Sequence, residues 1–157
     1  MASSDSNTSA GRSARSWDGE AGAWQEDLIA DLRANGGRPS RGLLACHPLL
    51  LLWSTGAKTG VERRAILTYS RDGDDLVVTG SAGGSDTNPA WIANVRKQPR
   101  VRLEVAGETH AATAVIESAG PERDRLWRAH VAALPWFGAY EGKTSRVIPI
   151  VRLRRAG

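Results

Sequence analysis

The sequence predicts an α+β protein built on a six-stranded antiparallel β-barrel with flanking helices. Three observations carry that prediction. Short runs of alternating or continuous apolar residues recur along the chain, and glycine-containing turns short enough for hairpins separate them. Two stretches of helical apolar spacing interrupt the strands, each opened by a proline. At 157 residues and 41% hydrophobic content, the chain can bury one core, so a single domain is expected.

The elements follow in order. Residues 1–16 hold Ser, Ala, Asn and Arg and no apolar residue larger than Met1. They bury too little surface to offset ordering entropy, which predicts a disordered tail ahead of one domain spanning 17–157. Trp24, Leu28, Ile29 and Leu32 predict a helix over Trp24 to Asn35, stopped by Gly36-Gly37. Pro39 to Ala45 reads as a connection. Leu49 to Ser54 is a nearly continuous apolar run, as in a strand buried on both faces. Arg63 to Arg71 alternates as a second strand, and Asp72-Gly73 is a hairpin signal leading into Leu76 to Gly80. Asn88 reads as a helix cap with Pro89 at the first helical position, and the helix carries Trp91, Ile92 and Val95 and stops before Pro99. Val101, Leu103 and Val105 form a half-buried strand that turns at Gly107 and returns over Thr109 to Glu117. A helix opens near Pro121 and carries Leu126, Trp127 and Val131. An aromatic loop, Pro135 to Tyr140, precedes a last strand over Val147 to Leu153, with Pro149 at an edge or bulge.

Composition narrows the function classes. A net charge of +4 favours an anionic ligand without choosing among a phosphate, another anion and a nucleic acid. No Lys/Arg tract interleaved with aromatics supports nucleic-acid binding, and Arg152, Arg154 and Arg155 read as a solvated strand end. The single cysteine, Cys46, cannot form an intrachain disulfide, consistent with a reducing cytoplasm. No metal-ligand spacing is present. The longest apolar run, Pro48 to Trp53, is too short to cross a bilayer, and the N-terminus has no apolar signal core. A cytoplasmic protein with a small-molecule substrate and no membrane partner is expected. His47, His110 and His130 read as structural or exposed. The six Trp residues either line a groove or scatter between core and surface.

Three loops could carry chemistry. In Thr55-Gly56-Ala57-Lys58-Thr59-Gly60 the glycines let backbone N–H groups face an anion, Lys58 adds a mobile charge, and Arg63 can fork onto a phosphate. The spacing is not that of a P-loop, and a plain charged hairpin fits equally. The segment from Ser81 to Pro89 runs from a strand to a helix start and contains Gly83-Gly84, again suited to an anion. These two loops are expected to leave neighbouring strands. The aromatic loop could cover a flat ring or form a satellite cluster.

In this order and spacing, Leu50 to Gly60, Arg63, Arg71-Asp72-Gly73, Ser81-Ala82-Gly83-Gly84, Asn88-Pro89-Ala90-Trp91, Asn94 and Arg146 to Val151 resemble the deazaflavin-dependent nitroreductase family. That family belongs to the flavin-reductase-like, FMN-binding type of split barrel. The resemblance implies coenzyme F-420 (8-hydroxy-5-deazaflavin) as cofactor, with FMN less favoured, and hydride transfer to a conjugated unsaturated or quinone-like acceptor. It places Lys58 and Arg63 at the coenzyme's phosphate and acidic tail. Ser81, Gly83 and Gly84 fall in the loop approaching the ring, and Asn88 and Trp91 at the helix start beside it. Thr59, Arg64 and Ala82 belong to the same cofactor set. Ser81 and Tyr140 are the implied catalytic residues, and Trp136, Phe137, Tyr140 and Tyr69 the substrate contacts. Split barrels of this kind often pair, so a homodimer is implied. Many members carry a basic residue where this chain has Ala57 and Ala82, and the nitroreductase type has tyrosines where it has Thr68 and Phe137. A same-fold enzyme with a changed cofactor, such as an FMN user or isomerase, and a flavin-like ligand binder are the alternatives.

Overall fold

The computed structural model describes residues 23–40 and 47–155, so the expected tail over 1–16 and most of the expected connection after Pro39 lie outside the described residues. The elements are α1 (Ala23–Ala34), β1 (Leu49–Thr55), β2 (Glu62–Thr68), β3 (Ser70–Asp72), β4 (Asp75–Thr79), a 3-10 turn (Ala82–Gly84), α2 (Ala90–Lys97), β5 (Arg100–Val105), β6 (Glu108–Glu117), α3 (Pro121–Ala133), α4 (Phe137–Glu141) and β7 (Ile150–Arg155). Among the described residues no helix is long and apolar enough to cross a membrane.

All strands join one antiparallel sheet in the order β2-β1-β5-β6-β7-β4-β3. The count is seven where the sequence predicted six, because the second strand breaks at Tyr69. Before the break, Thr68 lies opposite Leu49 of β1; after it, Ser70 lies opposite Val77 of β4. The two end strands of the sheet are therefore consecutive in the chain, so the sheet must curl until its ends meet. β2 pairs with β1 along one edge, and among the described residues its other edge has no strand partner. That open edge is the split in the barrel.

Alternation assigns the faces. Leu50, Leu52, Leu76, Val78, Leu103, Val151 and Leu153 fill the barrel, and Trp91, Ile92 and Val95 of α2 close one end of it. Leu49 points the other way and packs with Leu28 and Leu32 of α1 and with Ile66. β1 is thus buried on both faces, as its apolar run predicted. A third cluster joins Val77 and Ile150 to Leu126 and Trp127 of α3 and to Phe137 of α4. The β5–β6 connection has two consecutive positive φ angles, at Ala106 (53°) and Gly107 (83°), which match the twist of a tight hairpin.

Two elements and one residue here differ from the sequence reading. The segment 135–140, expected as a loop, contains α4, which gains its stability from packing against α3. β7 begins at Ile150, three residues later than expected, because Pro149 has no N–H for the ladder; its carbonyl accepts from Gly80 N at 2.9 Å. Arg152 is not solvated. It is 8% exposed, and its guanidinium donates to Asp72 (2.7 Å), Asp75 (2.9 Å) and Glu122 (2.6 Å). Its position opposite Val77 puts it on the outer face of the sheet, beneath the start of α3. Arg154, by contrast, is largely exposed, as expected.

Candidate cofactor cleft

The turn between β1 and β2 closes on itself through Gly56 N to Val61 O and Gly60 N to Gly56 O, both 2.8 Å. A side chain at Gly56 would meet Thr59 Oγ1 at 2.8 Å and Val61 O at 2.9 Å, so only glycine fits this turn without a shift. The last turn of α2 holds it from below. Buried Asn94 accepts from Ala57 N at 2.9 Å and donates to Ser54 Oγ at 3.2 Å, and Lys97 Nζ donates to Ala57 O at 2.8 Å. A cavity of about 260 Å³ lies between turn and helix, lined by Thr55, Gly56, Ala57, Lys58, Gly60, Lys97 and Gln98.

Lys58, Thr59 and Arg63 are exposed, and among the described residues neither Lys58 nor Arg63 has an ion pair. Arg63 lies opposite Ser54 and shares its strand face with Ala65 and Leu67, which pack on the barrel cluster. It therefore emerges at the barrel mouth beside the turn. Arg64 is on the opposite face, where it pairs with Glu26 of α1 at 2.5 Å and lies 5.9 Å from the Trp53 ring centroid. Its charge is already engaged away from the cleft.

The second loop, 80–88, leaves β4 on the far side of the split. Its strand is not β2's neighbour in the sheet, contrary to the sequence reading; the two loops instead flank α2, which spans about 12 Å at 1.5 Å per residue. Ser81 is buried, and its hydroxyl accepts from Thr79 Oγ1 at 3.2 Å. Exposed Ala82 has a φ of 47° and Gly84 a φ of 88°, so both sit in the left-handed region. Gly83 lies between them in the same 3-10 turn. Asn88 does not cap α2. Pro89 is the N-cap, one residue later than expected, and Asn88 Oδ1 instead accepts from Arg146 at 2.7 Å.

Arg146 ties this loop together. It donates to Ser85 O (2.8 Å), Gly80 O (3.1 Å) and Ser81 O (3.1 Å) as well as to Asn88. α4 lies against the loop: a side chain at Gly84 would come within 2.9 Å of Lys143 Cβ and 3.1 Å of Tyr140 O. Half-buried Tyr140 stands edge-on to Phe137 at 5.2 Å, and Lys143 Nζ is 5.7 Å from its ring centroid. Half-buried Trp136 is 4.8 Å from the His47 ring. Phe137 is buried in the outer cluster, whereas Tyr69 and Trp91 are buried in the barrel core. The structure thus brings Lys58, Thr59 and Arg63 to one side of the split. Ser81, Ala82, Gly84, Asn88 and Tyr140 gather on the other. Asn94 and Arg146 enter the sequence reading only within the resemblance, and no local spacing reveals what they hold, because their partners lie about 40 and 60 residues away.

The family described as F420H(2)-dependent quinone reductase matches residues 26–154. The chain belongs to this family. An F420H(2)-dependent quinone reductase of Mycobacterium tuberculosis is 35% identical over 125 residues, covering 78% of this chain and 84% of that protein. A solved F420-H2 dependent reductase is 30% identical, with a TM-score of 0.62 over 68% of this chain and 94% of its own. A structure described as a domain-swapped dimer is 27% identical, with a TM-score of 0.64 over 83% of this chain and 97% of its own. These quinone reductases are oxidoreductases described by their coenzyme, reduced F-420, and the split-barrel architecture is shared. The family description names a quinone as acceptor, where the motif resemblance carried a nitroreductase name.

Proposed function

We propose that this chain transfers a hydride from reduced F-420 to a quinone or a related conjugated acceptor in the cleft between β2 and the 80–88 loop. The observation that carries this reading is the pair of cations, Lys58 in the β1–β2 turn and Arg63 beside it on β2, without ion pairs among the described residues, with the tethered glycine loop at the other end of α2. That donor set fits a coenzyme with a flat ring and an anionic phosphate-and-glutamate tail. Lys58 and Arg63 would hold the phosphate, with Thr59 beside them. The neutral Ala57 is offset by Lys97, whose ammonium reaches the same turn from α2. The 81–84 backbone would face the ring.

When bound, the coenzyme supplies two electrons and a proton as a hydride from C5 of its ring. The protein's part would be to hold the acceptor against the coenzyme and keep water out. A quinone that has taken the hydride carries one negative charge on oxygen and needs one proton to become the hydroquinone. Ser81, whose oxygen already accepts from Thr79, keeps its own proton to donate towards that oxygen, and Tyr140 or a water completes the transfer. Trp136 and Tyr140, both half-buried beside the loop, are the aromatic surfaces for the acceptor. Phe137 packs against both, whereas Tyr69 and Trp91 lie in the barrel core and not in that cluster.

The domain-swapped relative supports a homodimer, which light scattering of the purified protein would test. The cofactor reading is tested by titrating the protein with oxidised F-420 and separately with FMN, following Trp fluorescence. Saturable binding of F-420, preferred over FMN and weakened about tenfold by Lys58→Ala, is expected for loss of a charge-assisted phosphate contact. Preference for FMN, or no F-420 binding, would overturn it and leave an altered pocket in the same fold.

A further inference from the structure

We propose that Arg146 is the positioning residue of this cleft: its guanidinium holds the 80–88 loop in the shape that meets coenzyme and acceptor, and its charge stands behind the reacting atoms. The inference rests on the cofactor reading above for its catalytic part. Its geometric part stands alone. One planar guanidinium engages three backbone carbonyls, of Gly80, Ser81 and Ser85, and the Asn88 amide oxygen. A flexible ammonium cannot span acceptors distributed over nine residues in this way. The loop it holds needs holding, because Ala82 and Gly84 are both left-handed and Ala82 lacks glycine's freedom to be so.

All four acceptors are neutral. Among the described residues no carboxylate lies within ion-pair distance of Arg146, and Asp86 acts only from further away. Burial pulls the guanidinium's pKa below its ordinary value, and Asp86 partly offsets this. Arg123 makes the contrast: it holds a backbone carbonyl elsewhere, Ile148 O at 3.1 and 2.9 Å, but it is paired with Asp124 at 3.2 Å. Arg146 therefore carries a charge with no close counter-ion, only the more distant Asp86, against the Ser81 carbonyl. An acceptor that gains a hydride gains negative charge, so this cation favours the transition state over the neutral ground state.

The test uses full-length Arg146→Ala and Arg146→Lys. In ligand-free protein, amide hydrogen exchange over 80–88 should quicken by about tenfold or more in both variants while β1, β5 and β6 keep their protection, which shows that the barrel is folded. With reduced F-420 and menadione as substrates, kcat should fall at least about tenfold with little change in KM, because a misplaced loop costs reaction geometry more than binding. Lysine should not restore it. Millimolar guanidinium should partly restore Arg146→Ala and leave the exposed-residue control Arg128→Ala unchanged. Unaltered exchange over 80–88, or wild-type kcat in Arg146→Lys, would overturn the proposal. If the wild type binds no F-420, the cofactor reading fails, and the exchange result alone decides whether Arg146 holds the loop.

Discussion

His130 is fully buried in the layer between α3 and the sheet, edge-on to Phe137 at 4.6 Å. Its Nδ1 is 2.7 Å from Ser70 Oγ, and its Nε2 has no hydrogen-bond partner among the described residues. Burial pushes its pKa from the ordinary 6.5 down to about 4, so the folded protein keeps it neutral while the unfolded chain protonates it first. The sign follows: unfolding takes up a proton between these values, stability is complete above pH 6.5, and it falls as pH drops through about 4. The loss from this residue is on the order of 3 kcal/mol. Urea unfolding at pH 7 and pH 5 should show the loss in the wild type, and His130→Leu should abolish its slope whatever it does to absolute stability. An unchanged slope would place the acid sensitivity elsewhere. Residues of this kind mark where sequence reading stops. Lys58 and Arg63 stand out locally, because a glycine turn with adjacent cations is written in consecutive positions. His130 and Arg146 have no such signature; what makes them matter is supplied by Ser70 and by the 80–88 loop, about 60 residues away in sequence.

α2 does three things at the level of the element. Its apolar face plugs the barrel, its start receives the 80–88 loop, and its end clamps the 55–60 turn. The apolar face was legible, since Trp91, Ile92 and Val95 fall at helical spacing. The clamp was not, because Asn94 satisfies Ala57 and Ser54 across the tertiary fold. α4 was missed for the same reason: five residues rich in aromatics have no periodicity to detect, and packing on α3 makes them helical. Asn94→Ala leaves the Ala57 N–H without its acceptor at a part-buried site, which costs about 1–3 kcal/mol. It should also loosen the turn that presents Lys58. Thermal unfolding together with F-420 titration measures both effects. Loss of stability with unchanged affinity would show that the turn is shaped by its own glycines and does not depend on α2.

The whole molecule closes through a strand that serves two neighbours, and the sequence reading came within one break of it. Arg63 to Arg71 reads as one strand because alternation continues across Tyr69, whereas the change of partner from β1 to β4 is a property of the closed barrel. The split lies alongside the first half of that strand, and an ion network secures the second half. Arg152 of β7 joins Asp72 and Asp75, which flank the two-residue β3–β4 turn, to Glu122 of α3, and Arg125 adds a second link from α3 to Asp72 at 3.1 Å. Arg125 and Arg152 hold the Asp72 carboxyl down at about 2. A depressed carboxylate contributes stability above its unfolded pKa and loses it as pH falls through the folded value, so this contribution fades between about pH 4 and pH 2. Arg152→Met removes the buried cation and leaves Asp72, Asp75 and Glu122 with only the more exposed Arg125 and Arg154 beside them, at a cost of about 2 kcal/mol at pH 7. Near pH 2 part of that cost is gone because the Asp72 carboxyl is taking up its proton. Urea midpoints of variant and wild type should therefore differ widely at pH 7 and draw together towards pH 2, with His130 cancelling between them. A gap that stays as wide at low pH would mean that Arg152 acts through the packing of its stem against α3, and that the barrel is closed there by contact rather than by charge.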